Sequence, residues 1–307
     1  MRNNHWLRGF VLLALACVLA VAGVVLPAGC AQKAIVPGTP PATHSVELDR
    51  NISYYDGPGS NPAQNNLDLY LPQGAHDFPV VVFVHGGAWT LGDKMLGEPL
   101  GNTLAARGIA VASINYRLAP AVQNPDQARD VARAFAWVHD NIASRGGNPD
   151  SMFLSGHSAG GQLVALVALD QRYLQEQGLA GSALKGAVPL SGVYDMQEVA
   201  RFLGSLNGTA LADIFGSGAE VLTAASPIDL VRADAPPFLV LWASEDIPSL
   251  PDQAQKFVAA LQKAGAQASG QEIPDRLHTS ILSRIGSADD PATAAIFDFL
   301  RNLATFH

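Results

Sequence analysis

Apolar and polar positions follow three regimes along this chain. Residues 11–26 are almost wholly apolar and are preceded by Arg2 and Arg8. Residues 30–45 are proline-rich and lack periodicity, the pattern of a solvated tether. From residue 46 to 307, short apolar runs alternate with amphipathic ones. Residues 66–71 alternate polar and apolar, which predicts a half-buried edge strand. Residues 79–84 are continuously apolar and rich in valine, which predicts a strand covered on both faces. Residues 109–116, 184–190 and 238–242 repeat that pattern, and 152–154 is a shorter instance. Helical stripes predict helices over 126–144, 162–174, 252–264 and 289–303; in the first, Ala128, Val131, Phe135, Val138 and Ile142 share one face, and Gly146 and Gly147 stop it. Strands alternating with helices predict an α/β fold with a mostly parallel central sheet and helices on both faces. Residues 194–236 break this rhythm and predict a small cap insertion over the functional edge of the sheet.

The N-terminal pattern changes where the protein is expected to work. A positive start followed by an apolar run predicts that residues 1–29 are an export signal; the competing reading is an uncleaved membrane anchor. The sequence LPAGC at 26–30 is similar to the end of a bacterial lipoprotein signal, which makes Cys30 a lipidation candidate. Pro27 stands where such signals usually carry an aliphatic residue, so cleavage without lipid is the alternative. The expectation is an exported protein, periplasmic or at the cell surface, attached to a membrane only through its N-terminus.

With residues 1–29 removed, Cys30 is the only cysteine left, so no intramolecular disulfide can hold the fold. The remaining 278 residues suffice for one large domain with its own core. Loss of Arg2 and Arg8 leaves 17 basic residues of the original 19 against 27 acidic ones, a balance of −10. An acidic surface without charge blocks argues against nucleic acid and against an electrostatic grip on anionic membranes. No zinc-like spacing and no internal repeat is visible.

The candidate chemistry starts at LSGHSAGGQ, residues 154–162. Its Gly-x-Ser-x-Gly core lies where an apolar run ends and a helical one begins. A serine there sits on a sharp, strained strand-to-helix turn, exposed beside a helix N-terminus and suited to attack a carbonyl. Gly156 and Gly160 leave room for the turn, and Gly161 eases the helix start.

Such a serine requires a base, and the base requires an orienting acid. On this kind of elbow the partners follow in the order serine, acid, histidine. Only His278 and His307 follow Ser158, and His307 is the last residue, where fraying opposes a fixed geometry. His278, just before the closing helix, is the predicted base. The acid is expected just beyond a late strand: Asp246 follows the 238–242 run, with Glu245 as the alternative and Asp275 too near His278 in sequence. Oxyanion donors are expected from HGGAW at 85–89, directly after the 79–84 strand. Gly86 and Gly87 would turn their N–H groups to the substrate, joined by the N–H of Ala159. His85 reads as holding this loop by hydrogen bonding. Trp89 has two readings, lining the pocket or packing under the loop. His157 reads as structural, and His139 as an ordinary helix-surface histidine.

Taken together, NLDLYLP (66–72), HGGAW (85–89), INYRLAP (114–120), GGNPDSMFLSGHSAGG (146–161), LSGVYD (190–195), PPFLVLWASED (236–246) and LHTSIL (277–282) resemble the α/β-hydrolase esterases of the hormone-sensitive-lipase and carboxylesterase kind. Within them the chain is similar to the HGGxW group, which includes kynurenine formamidase, prenylcysteine methylesterases and accessory feruloyl or acetyl esterases. The chain departs from the hormone-sensitive-lipase pattern, whose loop is usually HGGG and whose YRLAP is usually followed by Glu. It also carries Ser-Glu-Asp where relatives often show Gly-x-x-Asp. The resemblance implies an α/β-hydrolase fold and cleavage of small carboxylic esters through an acyl-enzyme on Ser158, with His278 and Asp246 as partners and no metal or organic cofactor. The alternatives are an amide hydrolase similar to kynurenine formamidase and a binding protein that kept the fold without the chemistry.

Overall fold

The computed structural model describes residues 40–204 and 210–304. The expected export segment, Cys30 and His307 lie outside the described residues. Eight strands form one sheet in the order β1-β2-β4-β3-β5-β6-β7-β8. They are β1 (Val46–Ser53), β2 (Asn66–Pro72), β3 (Phe78–Val84), β4 (Ala110–Ile114), β5 (Gly147–His157), β6 (Leu184–Leu190), β7 (Phe238–Glu245) and β8 (Ala268–Leu277). The β1–β2 and β2–β4 pairs are antiparallel, and all other neighbours are parallel.

Alternation along the central strands divides the core between two faces. Val80, Val82 and Val84 pack with α2 (Asp126–Asn141), α3 (Ala159–Leu169) and α7 (Leu250–Ala264). Val81 and Phe83 point the other way, toward α1 (Glu98–Ala105) and α8 (Pro291–Leu303). With a period of two in each strand, helices on both faces can bury every side chain of β3. The cap insertion folds as α4 (Met196–Gly204), α5 (Ala210–Phe215) and α6 (Ala219–Ala224).

Several helix ends follow from caps. The stripe over 126–144 is a helix to Asn141 continued by a 3₁₀ turn (Ile142–Arg145), and Gly146 ends it at φ 89°. The closing helix starts at Pro291, where the carboxylate of Asp290 accepts from the Thr293 N–H, the usual satisfaction of a free helix-terminal donor.

Three features differ from expectation. The helix expected over 162–174 runs over Ala159–Leu169 and stops at an extended Asp170. β2 is not an edge strand: every one of its residues is buried, and β1 takes the edge. Its charged position is matched by protein groups. Asp68 pairs with the buried Lys94 ammonium at 2.6 Å and with Arg50 at 3.3 Å. β1 and β8 have no counterpart in the apolar runs. β8 is largely exposed, and its backbone pairing with β7 defines it.

Candidate active site

The carboxyl ends of the parallel strands gather the candidate residues. β5 ends at His157, and Ser158 turns sharply into α3 with φ 57° and ψ −119°. A non-glycine residue in that region is strained and is held only by its surroundings. Its N–H donates to the Leu190 carbonyl at the end of β6, at 2.9 Å. The turn is so close to its neighbours that a Cβ on Gly160 would lie 2.1 Å from the Val84 carbonyl oxygen, and one on Gly156 2.5 Å from that of Gly160. Both positions therefore require glycine.

Ser158 Oγ lies 2.8 Å from His278 Nε2, and His278 Nδ1 lies 2.6 Å from Asp246 Oδ1. An ionised carboxylate only accepts, so Nδ1 carries the proton and Nε2 presents its lone pair to the serine. The Asp246 side chain is fully buried, yet it is not isolated. It also accepts from Ser191 Oγ at 2.5 Å and from the N–H groups of Ile247 and Ala243 at 2.8 and 3.2 Å. Burial alone would push its pKa up. The hydrogen bond and charge of His278, with Ser191 and Ile247, outweigh that and hold it below the usual carboxylate range. Glu245, the alternative acid, is exposed at the end of β7.

The other histidines are placed by what they hold. His157 is buried, and its Nε2–H donates to the His278 carbonyl at 2.7 Å, so it fixes the loop that carries the base. Burial, helped by the nearby charge of His278, lowers its pKa to about 3. His85 donates from Nδ1 to the Gly86 carbonyl at 2.7 Å and stacks on Tyr116 with ring centres 4.5 Å apart. Tyr116 in turn donates to the His85 carbonyl at 3.1 Å. Burial lowers the His85 pKa to about 4. His139 sits on α2 beside Asp140.

The N–H groups of Gly86, Gly87 and Ala159 have no acceptor among the described residues. They flank the serine from the end of β3 and from the first turn of α3, and are free to meet an anionic oxygen. Trp89 is buried and meets Phe215 of the insertion edge to face with ring centres 4.9 Å apart, a packed position. Sequence reading assigned no role to Ser191. It directly follows β6 at φ 47° within LSGVYD, which was the one available signal. Among the described residues, no group of three or more His, Cys, Asp or Glu is placed to hold a metal ion.

The two buried histidines give the stability a pH dependence. In the unfolded chain both titrate near 6.5, whereas the folded protein keeps them neutral to about 4 and about 3. Below pH 6.5 the unfolded state binds protons that the folded state refuses, so stability is highest above that pH and falls with acid. Each group contributes about 1.4 kcal/mol per pH unit within its window. Asp246 adds the same sign further down, since its depressed pKa gives stability that is present above 3.8 and lost below. The urea midpoint is expected to fall steadily from pH 6.5 to 4; a flat or rising profile there contradicts the buried neutral state of these rings.

Comparison with known proteins decides the family. Residues 67–261 match the family model described as BD-FAE. This chain belongs to the BD-FAE family. The match includes the HGGAW loop, Ser158 and Asp246, and ends before His278. Among curated proteins, this BD-FAE chain is 36% identical over 236 residues to esterase LipQ of Mycobacterium tuberculosis, covering 72% of this chain and 55% of that one. It is 33% identical over 305 residues to esterase LipC of the same organism, covering 93% and 74%. A probable isoprenylcysteine alpha-carbonyl methylesterase of Arabidopsis thaliana is 31% identical over 279 residues, covering 85% and 56%. The chain thus spans little more than half the length of several curated relatives it matches. Solved structures with the same fold include a truncated carbohydrate esterase from gut microbiota (TM-score 0.71, 23% identity, 87% of this chain and 99% of that one). Esterase B of Lactobacillus rhamnosis is another (TM-score 0.72, 22% identity, 84% and 85%). The fold of this BD-FAE member is that of the α/β hydrolases.

Proposed function

We propose that this protein hydrolyses small carboxylic esters through an acyl-enzyme on Ser158. The reading is carried by the unbroken hydrogen-bonded line Asp246–His278–Ser158 beside three unpartnered N–H groups. Relatives named as esterases and a carboxylic ester hydrolase support it.

Ser158 Oγ attacks the ester carbonyl while His278 Nε2 takes its proton. Asp246 holds the Nδ1–H and stabilises the imidazolium that forms. The new oxyanion meets the N–H groups of Gly86, Gly87 and Ala159, with the positive end of α3 behind the last. Collapse of the intermediate breaks the C–O bond, and His278 returns the proton to the leaving alcohol. A water then enters, gives a proton to His278 and attacks the acyl carbon, releasing the acid and restoring Ser158.

Turnover of p-nitrophenyl acetate and butyrate, compared with N-formylkynurenine, tests this. Ester turnover is expected to dominate. Turnover of the formamide alone overturns it in favour of an amide hydrolase, and failure of a folded sample to take a fluorophosphonate on Ser158 favours a binding protein. The proposal extends to location: residues 1–29 direct export and Cys30 takes lipid, supported by the sequence pattern alone. The mass of the mature N-terminus checks it, since a terminal Cys30 with no mass added to its thiol contradicts lipidation. Among the described residues, no helix is long and apolar enough to cross a membrane.

A further inference from the structure

The donor loop after β3 has a backbone shape that its own residues disfavour. Gly87, Ala88 and Trp89 follow one another at φ 123°, 49° and 59°. Two of them carry side chains, and such residues occupy the left-handed region only when the surroundings hold them there. Within the loop, the N–H groups of Thr90 and Leu91 close on the Gly87 carbonyl at 3.1 and 2.9 Å. Besides the Tyr116 bond to the His85 carbonyl, two further ties come from outside. The Ala119 N–H donates to the Trp89 carbonyl at 2.9 Å, and the Trp89 indole N–H donates to Gln162 Oε1 at 2.9 Å.

Gln162 is fully buried on α3, four residues after the nucleophile. Its amide nitrogen donates to the Ala225 carbonyl at 2.8 Å, at the end of α6 in the cap insertion. Its orientation is fixed by these partners. Reversing the amide would set its NH₂ against an indole N–H and its oxygen against a carbonyl. One side chain thus grips the donor loop with its oxygen and the insertion with its nitrogen.

We propose that Gln162 is a positioning residue that sets the oxyanion donors and makes their placement depend on the seating of the cap insertion. This rests on the ester-hydrolase reading. Donors aimed at an oxyanion act mainly in the transition state, and small misplacements are costly. Loosening the loop should therefore lower kcat while KM changes little. A residue that merely fills the core would change stability without that split.

The test compares Gln162→Leu, Trp89→Phe and the double variant with the wild type. Three readouts apply: turnover of p-nitrophenyl butyrate, the rate of fluorophosphonate labelling of Ser158, and amide hydrogen exchange. Each single variant is expected to lose about tenfold in kcat and in labelling rate, below the loss from deleting a donor outright, with KM within about twofold. The double variant is expected to be no slower than the slower single, because the bond between the two side chains is already lost in either single variant. Exchange should rise in Gln162→Leu over both 86–91 and 219–226. An unchanged kcat in folded variants, additive losses, or exchange rising in only one of those segments overturns the proposal. If Gln162→Leu does not fold, Trp89→Phe carries the same expectation for kcat and labelling, with exchange rising over 86–91, because it removes the loop side of the link alone. A wild type that neither turns over esters nor takes the label refutes the ester-hydrolase reading instead, while the exchange experiment still tests the link between loop and insertion.

Discussion

Replacing Ser158 with alanine should lower kcat for p-nitrophenyl esters by about a millionfold, the scale seen when a triad nucleophile is removed. The attack passes through one oxygen, 2.8 Å from the only imidazole among the described residues placed to take its proton; His157 is turned away to the His278 carbonyl. The donors and the binding surface stay in place, so a small residual rate over water remains. The melting temperature should shift little, because alanine inherits the same strained φ of 57° and the backbone bond to Leu190 is kept. A variant of unchanged stability that keeps a tenth of the wild-type rate would remove Ser158 from the mechanism.

The second large effect concerns the acid. Asp246→Asn should cost about ten-thousandfold in kcat, the loss typical when a triad carboxylate becomes an amide. An amide can offer an N–H to His278, which then turns its own proton toward the serine and can no longer accept there. Asp246 also accepts from Ser191 and two backbone N–H groups, so part of the measured loss is disturbance of that buried cluster. Glu245→Gln is the matched control. Glu245 is exposed beyond the cluster, and its variant should turn over esters within about twofold of wild type, as surface changes generally do. Measuring both separates the two adjacent carboxylates, and the reverse order of effects would assign the acid to Glu245.

Much of the site could be read from the chain because its signals are local or ordinal. The elbow is a pentapeptide whose glycines answer contacts with carbonyl oxygens of Val84 and Gly160. Chain order left His278 as the one usable histidine, and the fold brings it to Ser158. The central strands declared themselves as apolar runs because both their faces are covered. Where polarity is satisfied internally, the same reasoning misled. Asp68 gave β2 the look of an edge strand, yet it faces Lys94 rather than water. β1 and β8 were invisible because edge strands owe their identity to a neighbour's backbone rather than to their own side chains. Ser191 and Gln162 escaped for a related reason: their partners lie 55 and 73 residues away in the chain.

That separation also bears on how the molecule matures. Ser158 and His278 are 120 positions apart, and Asp246 lies 32 before the histidine. The three stand at or just beyond the ends of β5, β7 and β8, and no two consecutive strands hold them all. Parallel pairing over such distances forms slowly, because loop-closure entropy is lost before contacts compensate for it. Reactivity at Ser158 therefore arrives late in folding, after the β5-to-β8 half of the sheet has closed. Counting labelled serines in a refolding sample counts completed molecules, whereas far-ultraviolet circular dichroism also registers chains whose helices formed first.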